Sequence, residues 1–148
     1  MWSWAVDDGG MSDQIDRLAI YLHLAKASEK RLRMHVRDRF LVLAAVLAAR
    51  ADLPRIAAYC RQRIMEHNPQ HLIQRWDTVW QAAGDPEFTH FLRHIERRYP
   101  HETAEGMLNS LGLEMGRERD TYYDDEEYAA SLLGVTQQEL TDRFGAAS

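Results

Sequence analysis

The chain holds a single cysteine, Cys60. One cysteine closes no internal disulfide, which excludes the small disulfide-stapled class and gives no sign of an oxidising compartment. Proline and glycine are scarce too, four and eight residues in 148, so each turn signal carries weight. Long apolar runs are missing. The longest, Phe40 to Ala49, is closed by Arg50 and falls well short of the ~20 residues of a membrane helix. The first ten residues lack the basic and apolar regions of a signal peptide, so the expectation is a cytoplasmic protein with no membrane contact. No segment alternates with period two between turn residues, and no sheet is expected. A glycine-rich phosphate loop, a Gly-x-Ser-x-Gly elbow and a His-Glu-x-x-His helix are all absent, which removes the commonest catalytic signatures. The formal charge of −5 argues against coating nucleic acid or anionic lipid with the whole surface.

What is present is helical periodicity. A length of 148 residues suits one domain with a core of its own. Ser12 is a suitable N-cap, and apolar residues follow at Ile15, Leu18, Leu22 and Ala25, then at Leu32, Val36, Phe40, Leu43 and Leu47. A single helix from 13 to 51 would span ~58 Å at 1.5 Å per residue, too long for a compact domain of this size, so a break is expected near Ala27–Lys30. Asp52-Leu53-Pro54, Asn68-Pro69, Asp85-Pro86 and Pro100 mark further helix starts and stops. Leu72, Trp76, Val79, Trp80 and Ala83 predict one helix, and Phe88, Phe91, Leu92, Ile95 and Tyr99 the next. Residues 113–121 read as a loop or weak helix. The expected fold is all-α, with six to eight helices in antiparallel hairpins. Residues 1–11 form a flexible extension, 12–112 the hairpin core, and 113–148 an acidic helical arm.

The 31-residue spacing from Pro69 to Pro100 gives a weak internal echo. In this the chain resembles tandem hairpins of the tetratricopeptide kind, although Trp76 and Phe88 occupy positions where that family wants small residues. Residues 126–144, EEYAASLLGVTQQELTDRF, resemble the helix-turn-helix of bacterial repressors. That resemblance implies Ala130 at the helix crossing, Gly134 in the turn, Leu140 facing inward, and Thr136, Gln137 and Gln138 opening a recognition helix. The acidic residues Asp124 to Glu127, Glu139 and Asp142 oppose phosphate contact, so nucleic acid is not the expected partner.

Three constellations remain. Glu87-x-x-His90, with His94 one turn on, has metal-ligand spacing, but a carboxylate-bridged bundle site needs a second copy and further glutamates. Glu87, His90 and His94 therefore read as surface residues, and no metal or other cofactor is expected. Glu66, His67 and His71 flank Asn68-Pro69 and would meet His101 if the hairpins stack. Cys60 lies on an apolar face with Ile56 and Ile64 and reads as a buried structural thiol. The interaction candidates are Trp76 and Trp80, a basic stripe of Lys26, Lys30, Arg33 and Arg37, and an acidic segment of Asp124, Asp125, Glu126 and Glu127. Pairing of stripe and segment, within one chain or between two, is expected. The resulting reading is a non-enzymatic helical interaction or regulatory module that binds protein and self-associates. The alternatives are a DNA-binding regulator using 126–144 and a metal-carboxylate bundle enzyme.

Overall fold

The computed structural model describes residues 3–113, 115 and 118–145, with side chains from residue 14 onward. It contains eight α-helices and no strand among the described residues. These are α1 (Ser3–Lys30), α2 (Met34–Arg50), α3 (Pro54–His67), α4 (Val79–Ala83), α5 (Pro86–Arg98), α6 (His101–Ser110), α7 (Asp125–Leu133) and α8 (Gln137–Phe144). Two short 3-10 turns, Leu72–Arg75 and Glu118–Thr121, interrupt the connections. No helix among the described residues is long and apolar enough to cross a membrane. The side chain of Ser12 and part of the 1–11 extension lie outside the described residues. The helical backbone already begins at Ser3, so Ser12 lies within α1 and not at its start.

The alanine-rich run is the axis of the bundle. Phe40 to Val46 and Ala48 are all buried, so α2 is covered on every side by α1, α3, α4 and α5. Ala44, Ala45 and Ala48 let those neighbours approach closely. Above them, Phe40 packs against Tyr99 with ring centroids 4.7 Å apart, and the Tyr21 hydroxyl donates to the Tyr99 carbonyl at 2.7 Å. Burial pushes the Tyr21 hydroxyl above its usual range, which keeps it a donor.

The break between α1 and α2 falls at residues 31–33, just after the expected position. Leu32 adopts φ 60, the Arg33 N–H donates to the Ser28 carbonyl at 2.9 Å, and the Leu32 N–H to Glu29. This is the left-handed helix terminus usually made by glycine. The α2 end repeats it, with Asp52 at φ 61 and the Leu53 N–H donating to Ala48 at 2.8 Å. Asp52 therefore closes α2 and does not cap α3, whose N-cap is Leu53. Leu32, expected on the apolar stripe, is 83% exposed because the turn carries it off the helix.

The expected helix over 72–83 is instead a 3-10 turn, an extended Trp76, and the short α4. The cause is a capping box: the Thr78 hydroxyl accepts from the Gln81 N–H, and the Gln81 side chain accepts from the Thr78 N–H. Trp76 and Trp80 are therefore not one turn apart on a helix. A second capping box, Thr136 with Glu139, starts α8 as its sequence requires, and Leu140 is fully buried beneath it. Thr136→Ala should lower stability by about 1 kcal/mol, the usual worth of an N-cap. A shift in the urea midpoint with an unchanged slope checks this.

Candidate functional site

An apolar groove of about 690 Å³ lies between α3 and α4, with Phe144 of α8 also lining it. Its floor is one face of α3: Pro54, Ala57, Ala58, Arg61, Gln62 and Met65, a helical i, i+3, i+4, i+7 series. From 54 to 65 that face is ~16 Å long at 1.5 Å per residue. Val79 and Trp80 form the facing wall, and Trp80 is 66% exposed. The two tryptophans thus divide. Trp76 is half-buried, packs edge-on against Phe88 at 5.5 Å, and donates its indole N–H to Asp85 at 3.3 Å. Trp80 alone presents its ring to the groove. Arg50, Asp52, Arg61 and Asp77 edge it. Arg61 spends Nη2 on the Trp76 carbonyl at 2.9 Å, and its buried Nε has no hydrogen-bond partner among the described residues.

The expected basic stripe does not survive the turn. Lys26, Lys30 and Arg33 are exposed, but Arg37 is 3% exposed and fully engaged. Its Nε and Nη2 donate to Asp38 at 3.2 and 2.9 Å, its Nη1 donates to Glu29 at 2.7 Å, and Nη2 also reaches the Arg63 carbonyl at 3.0 Å. The non-helical residues 31–33 change the phase of the helix, so position 37 faces the bundle. Asp38 gives its other oxygen to His67 Nδ1, and the His35 ring stands edge-on to His67 at 5.3 Å. His71 sits near this carboxylate. Its Nδ1 accepts from the Ile73 N–H at 3.1 Å, and burial lowers its pKa despite Asp38. A histidine held neutral in this way contributes stability above the unfolded value near ~6.5, and that contribution is lost as pH falls. His67 thus binds Asp38, His71 caps the Leu72–Arg75 turn, and neither pairs with His101, which pairs with Glu105.

The acidic segment is likewise committed, within its own arm and to α3. Asp124 caps α7, accepting from the Glu127 N–H at 2.8 Å. Asp125 pairs with Arg119 at 2.9 Å. Glu126, buried, takes both donors of Arg55 at 2.9 and 2.8 Å. Glu127 accepts from the Tyr123 N–H at 2.8 Å. Among the described residues no ion pair joins Lys26, Lys30, Arg33 or Arg37 to this segment, so the expected pairing does not occur within one chain.

The α7–α8 pair has the turn that its sequence implied: Gly134 at φ 76, Ala130 and Leu140 buried. The start of α8 is tied up, since Gln137 donates to Asp124 at 3.2 Å and to Glu126 at 3.0 Å. Its exposed side carries Gln138, Glu139, Asp142 and Arg143. Glu87 pairs with Arg75, while His90 and His94 are exposed. Among the described residues no group of three His, Cys, Asp or Glu side chains is placed to hold a metal ion.

No protein-family model matches the chain, and no curated protein or solved structure is similar to it.

Cys60 is fully buried, and burial pushes its thiol up to about 12. Because the thiolate is the reactive form, Cys60 should resist a thiol reagent at pH 8 in the folded protein and react fully on denaturation. Titration of the thiol with and without denaturant checks this.

Proposed function

We propose that this protein is a non-enzymatic interaction module that takes an amphipathic helix of a partner protein into the groove between α3 and α4. One observation carries the reading: a three-turn helix face floored by alanines lies open opposite an exposed tryptophan. Small residues let a second helix approach closely, and Trp is the side chain most enriched where binding energy concentrates. The length of the face suits about three turns of helix better than a compact ligand, which a closed cavity would bury on most sides. The edge charges define the partner further. Arg50 at the groove edge calls for a carboxylate on the helix, while Asp52 and Asp77 call for a lysine or arginine. A mode in which apolar anchors recur at i, i+3 or i+4 and i+7 fits these features.

A photo-activatable residue in place of Gln62, at the groove edge, tests this in cells that make the protein. We expect covalent linkage to an amphipathic helical segment of a specific protein, and loss of at least ~10-fold in yield on adding Trp80→Ala, the scale of a hot-spot truncation. Linkage that is indifferent to Trp80→Ala, in a variant of unchanged helicity, would overturn the reading.

A further inference from the structure

Three large apolar side chains stand exposed among the described residues: Leu32, Trp80 and Tyr123. Trp80 belongs to the groove above. The other two sit at the centres of opposite charge. Leu32 is flanked by Lys30, Arg31 and Arg33, all exposed, and none of these cations has an ion pair within the described residues. Tyr123 is 89% exposed, beside exposed Asp120 and Asp124 and half-buried Glu127.

Next to the basic turn lies a second groove, of about 500 Å³, between the end of α1, the start of α2, and α6. Leu24, Val36, Phe40, Met107 and Leu111 line it, and Arg31 and Arg33 stand at its mouth. An apolar slot with a cationic rim takes an aromatic side chain flanked by carboxylates, and Tyr123 on its acidic arm is such a group. Within one molecule the two cannot meet. The arm is held along the middle of α1, where Arg119 reaches Asp16 at 3.7 Å and His23 donates to Glu118 at 3.1 Å. From Asp16 to Lys30 the helix runs ~21 Å at 1.5 Å per residue.

We propose that this protein forms a two-fold dimer in which Tyr123 and the acidic arm of each copy dock into the basic-rimmed groove at the Leu32 turn of the other. Separation of the two patches along α1 suits this symmetry. With the two α1 helices antiparallel, both contacts form at once and the assembly closes. Opposite charge steers the encounter and fixes the register, and the aromatic anchor fills the apolar slot. The backbone supports a role for Leu32: a leucine held at positive φ is conformationally disfavoured, and this conformation keeps its side chain in solvent. The dimer is a surface separate from the α3–α4 groove, so each stands or falls alone.

The test uses the full chain in sedimentation equilibrium. The wild-type protein should be dimeric at micromolar concentration and low salt, and its dissociation constant should rise by ~10-fold or more on going to 1 M salt, where the screening length falls to ~3 Å. Arg31→Glu with Arg33→Glu should give a monomer, as should Asp120→Lys with Glu127→Lys. An equimolar mixture of the two variants should dimerise again, because one contact is native and the other is complementary with its signs exchanged. Misfolded variants would not rescue each other, so the mixture separates lost association from lost structure. A wild-type chain that stays monomeric at 100-fold higher concentration, a dimer unmoved by both reversals, or a mixture that remains monomeric would overturn the proposal.

Discussion

The Arg37 guanidinium, 3% exposed at the junction of three helices, is the constraint on which the arrangement turns. Desolvating such a charge costs several kcal/mol unless every donor finds a partner. Its partners come from all sides: Asp38 beside it on α2, Glu29 from α1, and the Arg63 carbonyl from α3. Arg63 closes the ring by donating to Glu29 at 2.7 Å, and His67 binds the remaining oxygen of Asp38. Glu29 and Arg37 stand eight residues apart, yet their side chains meet. Only a tight reversal between them allows this, and the left-handed Leu32 supplies it. Apolar burial provides the driving force for the bundle, but apolar packing alone leaves helix register loosely defined. The charged junction sets how far α1, α2 and α3 slide past one another.

The surfaces follow from that register. Drawing Arg37 inward, with Glu29 turned to it, leaves Lys30, Arg31 and Arg33 on the turn with no ion pair among the described residues, hence a basic patch around Leu32. Docking α3 through Arg63 and His67 places its opposite face, Pro54 to Met65, beside α4 as an open trough. The arm is fastened independently, through Arg55 with Glu126 and through Glu118, which accepts from both His23 and Tyr128. With Asp125 paired to Arg119 and Glu126 to Arg55, the outward carboxylates around Tyr123 are Asp120, Asp124 and Glu127. Segregated charge in the sequence thus becomes two separate patches, each with an apolar centre.

Much of the helical order was legible because its punctuation is chemical. Asp85-Pro86 caps α5, Gly134 ends α7, and Thr136 with Glu139 starts α8, each through local hydrogen bonds that sequence alone specifies. What was hidden has physical causes. Leu32 and Asp52 fill positions that usually carry glycine, so the left-handed turns themselves were not marked even though a break near Ala27–Lys30 and a stop at Asp52-Leu53-Pro54 were expected, and the stripe drawn through Arg37 crossed a change of phase. The Thr78-x-x-Gln81 box was readable in principle, but it lay beneath an apolar spacing that suggested one continuous helix. Of the candidate site, Trp80 was visible as a residue and its groove was not, since the groove depends on tertiary register. The role of Arg37 was inverted because burial of a charge is decided by partners distant in sequence, Glu29 and Arg63, which no local pattern connects.

The central claim is that the buried junction sets helix register, and a double-mutant cycle on Arg37 and Asp38 tests it most directly. Arg37→Met and Asp38→Leu, singly and together, are compared by urea unfolding. Each single change leaves a buried charge short of one partner, Asp38 with His67 alone or Arg37 with Glu29 and the Arg63 carbonyl, and should cost on the order of 3 kcal/mol. The pair removed together should cost well below the sum of the two, giving a coupling of a few kcal/mol. Single changes costing under about 1 kcal/mol each and adding independently would contradict the account, because the two groups would then be tolerated without one another.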